Sequence, residues 1–303
     1  MSLLFQTAIE LGLIGSLVVL ALFLSYTMLN VCDLSTDGAF TLGACTGAVV
    51  AIAGHPYLSI PAAILSGVIS GFITGLLQTY IGIDSLLSGI IVNTGLFSIN
   101  IAIMGNSSLL NMNKTTTLFT ITKDYLANTP LSGKQTIIVA LIFMIIVLLI
   151  LNLFLKSRLG IALRATGNNP AMVKSSSINP KVMTLIGLSI SGGITALSGC
   201  LLAQSQKSVN IDIGSGILTI SLASLLIGRI INNKSSITIQ SICAVIGALI
   251  FRLIYSLALR LNMPAYMLKL ISSVIVILTI ALPYLKQRLP EIQRRMKARK
   301  ENA

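Results

Sequence analysis

Charged side chains are what this sequence has least of. Among 303 residues, 8 are acidic and 21 basic, so charged residues make up 10% of the chain, against about 25% in soluble domains. With 54% hydrophobic residues and a mean hydropathy of +0.93, an ordinary soluble domain is excluded. Tryptophan is absent, and the one histidine, His55, sits in a Gly/Pro turn, AGHPY, as a loop residue rather than a metal ligand. The four cysteines, Cys32, Cys45, Cys200 and Cys243, lack CxxC spacing and lie in or beside apolar segments. There cysteine behaves as a small hydrophobe, and neither a disulfide framework nor a zinc site is indicated.

Catalytic motifs are missing as well. No GxxxxGK(S/T) loop occurs, so if ATP drives this protein, ATP and its magnesium belong to a separate ATPase chain. HExxH, GxSxG and paired intramembrane aspartates are absent too, which argues against an enzyme. The apolar stretches hold no carboxylate pair or Asp/His relay of the kind proton-coupled carriers use. The start, MSLLFQTAIE, has no basic n-region, so a cleavable signal is not expected.

What the chain does have is apolar runs near the length of about 20 residues that crosses a bilayer. They fall at about 8–30, 38–54, 58–79, 84–104, 135–155, 182–204, 214–230, 236–259 and 265–285. The expected fold is an all-α polytopic membrane protein of about nine transmembrane helices (eight to ten), one transmembrane domain over 1–285 followed by a basic tail, 286–303. The net charge of +13 is concentrated: seven basic residues lie between Lys286 and Lys300 and five between Lys156 and Lys181. That pattern follows the positive-inside rule, with anionic lipid as counter-charge rather than nucleic acid. Tail and basic loop both belong in the cytoplasm, which places the N-terminus and the loop 105–134 outside. A re-entrant 38–54 would flip the N-terminus.

The basic loop, 156–182, carries its own helix signals. Asn169 before Pro170 reads as an N-cap with proline at the first helical position, opening a short helix to about Ser177, and Asn179 before Pro180 repeats the signal for the next span. Gly67, Gly71 and Gly75 form a stripe at four-residue spacing, suited to close helix packing, whereas 135–155 is bulky and reads as lipid-facing. Two acidic, Gly-bearing breaks, CDLSTDGAFTLGA and VNIDIGSGILTISLAS, each follow a long span and precede a small-residue helix. This echo has the form of an inverted repeat, and such breaks often mark a permeation path. Asp37 and Asp84 are expected to cap the helices that follow them. Arg252, deep in its span with Tyr255 one turn away, is expected to snorkel or pair with helix carbonyls. Neutral polar residues near span centres are the candidates for a translocation path: Asn93, Thr94, Asn100, Ser189, Ser191, Thr195, Ser221 and Ser224. For each of them, inter-helix hydrogen bonding is at least as good a reading.

The run LGIALRATGNNPAMVKSSSINPKVMTLIGLSISGGITALSGCLLAQ, Leu159 to Gln204, resembles the cytoplasmic coupling segment and following span of ABC-transporter permeases, in the group importing branched-chain amino acids, ribose and related solutes. DLSTDGAFTLGA, Asp33 to Ala44, and DIGSGILTISLASLLIG, Asp212 to Gly228, resemble one subgroup of that family. The resemblance implies a permease in the plasma membrane working as a homodimer, with two ABC ATPase subunits and an extracytoplasmic solute-binding protein. It also implies that Arg164, Gly167, Asn169, Pro170, Ala171, Met172, Val173 and Lys174 dock on the ATPase. Ser177 departs from the family, where a glycine is common. An amino acid, aromatic ones included, is the first expectation for the solute, with sugars and nucleosides behind. A gradient-driven carrier or channel is the alternative.

Overall fold

The structure, a computed structural model, describes residues 2–126, 133–231, 236–260, 270, 273–278 and 281. It is built almost wholly of helices. α1 (Ser2–Leu22) runs on through a π-helical stretch, Phe23–Met28. α2 (Thr36–Ile52), α3 (Ser59–Leu76, extended by a π-helical Leu77–Ile81) and α4 (Ser85–Ile103) follow. A short strand, β1 (Leu109–Asn111), and α5 (Leu118–Leu126) lead to α6 (Gln135–Lys156). Then come α7 (Arg158–Asn168), α8 (Pro170–Ser175), α9 (Pro180–Gln206), β2 (Ser208–Asn210), α10 (Ile217–Ile231) and α11 (Ile237–Arg260). Among the described residues, six helices are long and apolar enough to cross a membrane, while α2 and α10 are shorter apolar helices. All eight expected spans up to residue 259 are helical. Of the ninth, only residues 270, 273–278 and 281 are described, all of them helical, and the tail 286–303 lies outside the described residues.

The 27-residue α9 is the central post. Its first end carries α7 and α8, and its last end carries the antiparallel pair β1–β2, in which Leu110 faces Val209. α1 runs antiparallel to it: Ser191 Oγ donates to the Ala21 carbonyl at 3.0 Å and Ser198 Oγ to the Ile14 carbonyl at 2.7 Å. The N-terminus of α1 therefore lies at the β-ribbon end and its π-helical exit at the α7 end. α3 also packs antiparallel, and the expected glycine stripe is the reason it comes so close. A Cβ on Gly67 would meet the Gly192 carbonyl, one on Gly71 the Leu188 carbonyl, and one on Gly75 would come within 3.1 Å of Leu185 Cα. Lipid offers apolar bulk no advantage over another helix, so backbone proximity and dispersion hold such pairs together.

α2 runs parallel to α9, with Gly43 against Ala196 and Gly47 against Cys200, and ends at the ribbon, where Ala48 and Ala51 join a cluster with Met112 and Val209. It returns to the side where α1 began, so the pair crosses and comes back. α10 and α11 mirror it. α10 starts near mid-depth and ends beside Phe23 and Thr27, and α11 rises along α1 with Leu249 against Gly12. α3 on α9 is thus matched by α11 on α1, an inverted arrangement of two broken-helix units. α6 stands at the edge, with Ile142, Ile146, Ile150 and Leu153 exposed. It is tied inward by Asn152 Nδ2 donating to Ser241 Oγ of α11 at 3.0 Å.

Candidate functional site

The two breaks meet. Asp37, in the first turn of α2, was expected to cap the helix that follows it. It caps α10 instead, 179 residues further on: Gly216 N–H donates to Oδ2 at 3.0 Å and Leu218 N–H to Oδ1 at 2.8 Å. A carboxylate there satisfies donors that a helix start leaves open and opposes the positive end of the α10 dipole. The contact is close because Gly214 packs on the Asp37 carbonyl with no side chain between. Asp84 does cap its own helix, accepting from Leu86 N–H at 2.9 Å.

Beside this junction lies a cavity of about 340 Å³, walled by α2 (Asp37, Gly38, Thr41), by α4 (Asn93, Thr94, Phe97, Asn100) and by the approach to α10 (Asp212, Ser215). Three of the expected path residues, Asn93, Thr94 and Asn100, are thereby brought together on one wall. Asn100 is 1% exposed; its Nδ2 donates to the Gly38 carbonyl at 3.4 Å, and its Oδ1 has no hydrogen-bond partner among the described residues. The others lie elsewhere. Ser189 Oγ bonds back to the Leu185 carbonyl, Ser191 bridges to α1, and Thr195 is buried in the bundle. Ser221 and Ser224 line a separate void of about 20 Å³ together with Arg252, whose guanidinium stands over the Tyr255 ring at 5.7 Å.

At the opposite end, the basic loop holds two helices rather than the single one expected. α7 is capped by Ser157, whose Oγ accepts from Gly160 N–H. It buries Ala162, Leu163 and Thr166, and a Cβ on its Gly167 would meet the Met28 carbonyl and Leu29. Asn169 then caps α8, its Oδ1 accepting from Met172 N–H at 3.1 Å with Pro170 at the first helical position. Val173 is buried, while Met172 is 66% exposed. Asn179 caps α9 through Lys181 N–H at 3.0 Å. Arg164 lies on α7 with its Nε buried and without a partner among the described residues. A second cavity, of about 350 Å³, opens beside the contact of Gly167 with Leu29 and is bounded by Asn30, Thr79, Gly167, Pro170 and Lys181.

The sequence reading missed Asp212 and Phe97 as cavity walls. In the sequence Asp212 reads only as a residue in a break, and the wall forms only when α4 and the second break come together.

Residues 4–280 match the family model described as "Branched-chain amino acid transport system / permease component". The chain belongs to that permease family. It is 35% identical over 271 residues to the tyrosine transport system permease protein of Clostridioides difficile (strain R20291), covering 89% of this chain and 88% of that one. It is 30% identical over 280 residues to the uncharacterized protein RP368 of Rickettsia prowazekii (strain Madrid E), covering 91% and 96%. A more distant relative is the nucleoside ABC transporter permease protein NupC of Lactococcus lactis subsp. cremoris (strain MG1363), 25% identical over 248 residues with 76% and 74% covered. No solved structure is significantly similar. The permease is thus a multi-pass membrane component of an ABC-type transport system, and its long apolar helices suit that place.

Proposed function

We propose that this permease is the membrane-spanning half of an ATP-driven importer in the plasma membrane. It pairs with a second copy of itself, docks two ATPase subunits that hold ATP and magnesium, and receives its solute from an extracytoplasmic binding protein. The observation that carries this reading is α8. It is a short, capped helix with an exposed face at Met172, and it follows directly on α7, whose Gly167 presses on the exit of α1. A push on α8 therefore reaches two helices of the bundle at once, and the cavity beneath it leaves room for the stroke. The basic charge of the segment, with no acidic residue between Lys156 and Lys181, supports placing this end in the cytoplasm. The ribbon end, the N-terminus and the cavity beside Asp37 are then reached from outside. An amino acid is the favoured solute, on the strength of the relative whose name specifies tyrosine transport.

Replacing both Ala171 and Met172 by aspartate tests the docking role. Each introduces a charge on a helix that the reading seats in an ATPase groove. The expected result is permease at normal membrane abundance that no longer co-purifies with its ATPase and no longer supports uptake. Solute flux by the purified chain alone, with no ATPase present, would overturn the reading.

A further inference from the structure

Resting on that reading, the cavity beside Asp37 can be asked which end of a solute it holds. A helix N-terminus usually seats an anion, and the start of α10 faces this cavity. That seat is filled by the protein itself: the Asp37 carboxylate already accepts from Gly216 and Leu218 N–H. The charged side chains on the wall, Asp37 and Asp212, are both carboxylates, while Thr41, Asn93, Thr94 and Ser215 are neutral groups that can donate as well as accept. Asp212 is exposed, and its carboxylate makes no hydrogen bond or ion pair with a described residue. Asn100 Oδ1 has no partner among the described residues, although Asn100 is 1% exposed. Its orientation is fixed, because turning the amide over would set Oδ1 against the Gly38 carbonyl that Nδ2 now faces. A buried acceptor left open costs free energy unless a ligand completes it. Lysine, arginine and histidine are absent from the wall, and Phe97 offers one aromatic face. At about 340 Å³ the space falls in the range of small-molecule sites.

We infer that this cavity is a subsite for the ammonium group of the solute, with Asp212 supplying the counter-charge and Asn100 Oδ1 a directed acceptor, and that it rejects solutes whose only charge is a carboxylate. Phe97 packs against the apolar body. The two carboxylates of the wall, with no cationic side chain beside them, also disfavour anions that would otherwise be drawn to the α10 terminus.

Two probes that differ in their charged end test this. Tyramine carries an ammonium and no carboxylate; 3-(4-hydroxyphenyl)propanoate carries a carboxylate and no ammonium. Both are titrated calorimetrically into the full-length permease in lipid nanodiscs, with no ATPase present. Tyramine is expected to bind and the carboxylate not. Asp212→Asn and Asn100→Leu should each weaken tyramine by about tenfold or more, the loss of one charge-assisted contact. Asp212→Asn changes an exposed side chain to its isostere, so its folding is not in question. Binding of the carboxylate at least as tight as tyramine, no binding of either probe, or unchanged tyramine affinity in both variants would overturn the subsite. Those failures leave the importer reading intact wherever ATP-driven uptake still depends on Ala171 and Met172, so the two can be told apart.

Discussion

Ser177 shows how much one side chain can say. α8 ends in a partial Schellman arrangement: Ile178 N–H donates to the Val173 carbonyl at 3.3 Å, and Ser177, between cap and closing residue, has φ of +61°. That position ordinarily belongs to glycine, because a Cβ there crowds the following carbonyl. Ser177→Gly should therefore stabilise the helix exit by about 1 kcal/mol. Hydrogen exchange reads this directly, since the Ile178 amide should exchange about fivefold more slowly. Unchanged or faster exchange would mean that the strain is relieved some other way. The sequence pointed to this residue through its departure from the family, and the backbone angle supplies the reason. Local signals of this kind were legible throughout. Asn169–Pro170, Asn179–Pro180 and Asp84 each cap the expected helix, because a cap is written within four residues. Asp37 was half legible: its side chain was recognisably a cap, but its helix lies 179 residues away, and no local pattern encodes that distance.

At the scale of elements, the glycine stripe of α3 makes a differential prediction. Gly71 faces the Leu188 carbonyl and Ser189 Cα, whereas Gly95 on α4 has open space where a Cβ would go. Gly71→Ala should force α3 off α9 and cost about 1–3 kcal/mol, as overpacking does. Gly95→Ala should be neutral or gain about 0.5–1 kcal/mol from helix propensity. Thermal unfolding of the two variants side by side checks the contrast, and equal effects would mean that α3 and α9 are not held by backbone proximity. Elements were legible wherever apolar length or small-residue spacing marked them, down to α6 with its exposed apolar face. α7 was not. Its residues, RLGIALRATGN, are too polar to register as a span, and it buries only the Ala162–Leu163–Thr166 face, so the run looked like loop. The β ribbon escaped for another reason: each strand is three residues long, and the partners, Leu110 and Val209, are brought together only by the folded bundle.

For the whole molecule, the proposed function requires that a movement at α8 reach a cavity at the other end of the bundle. The contacts trace one route. Gly167 seats on Met28 and Leu29, Leu29 packs on Gly187 of α9, and α9 touches α2 through Gly43 and α3 through Gly67. α2 in turn carries Asp37, which holds the start of α10 and one wall of the cavity. In the proposed function docking and transmission are separable, the first assigned to the exposed face of α8 and the second to Gly167. Gly167→Val should wedge α7 away from the α1 exit while leaving Ala171 and Met172 exposed. The expected outcome is an ATPase that still co-purifies and still hydrolyses ATP, with uptake reduced at least about tenfold, equivalent to about 1.4 kcal/mol or more of lost coupling. Measuring complex recovery and uptake on the same membranes distinguishes this from the Ala171/Met172 variant, in which both are lost together. Full uptake in Gly167→Val would show that force enters the bundle by another contact, with Val173 the next to test because it is the buried side chain of α8.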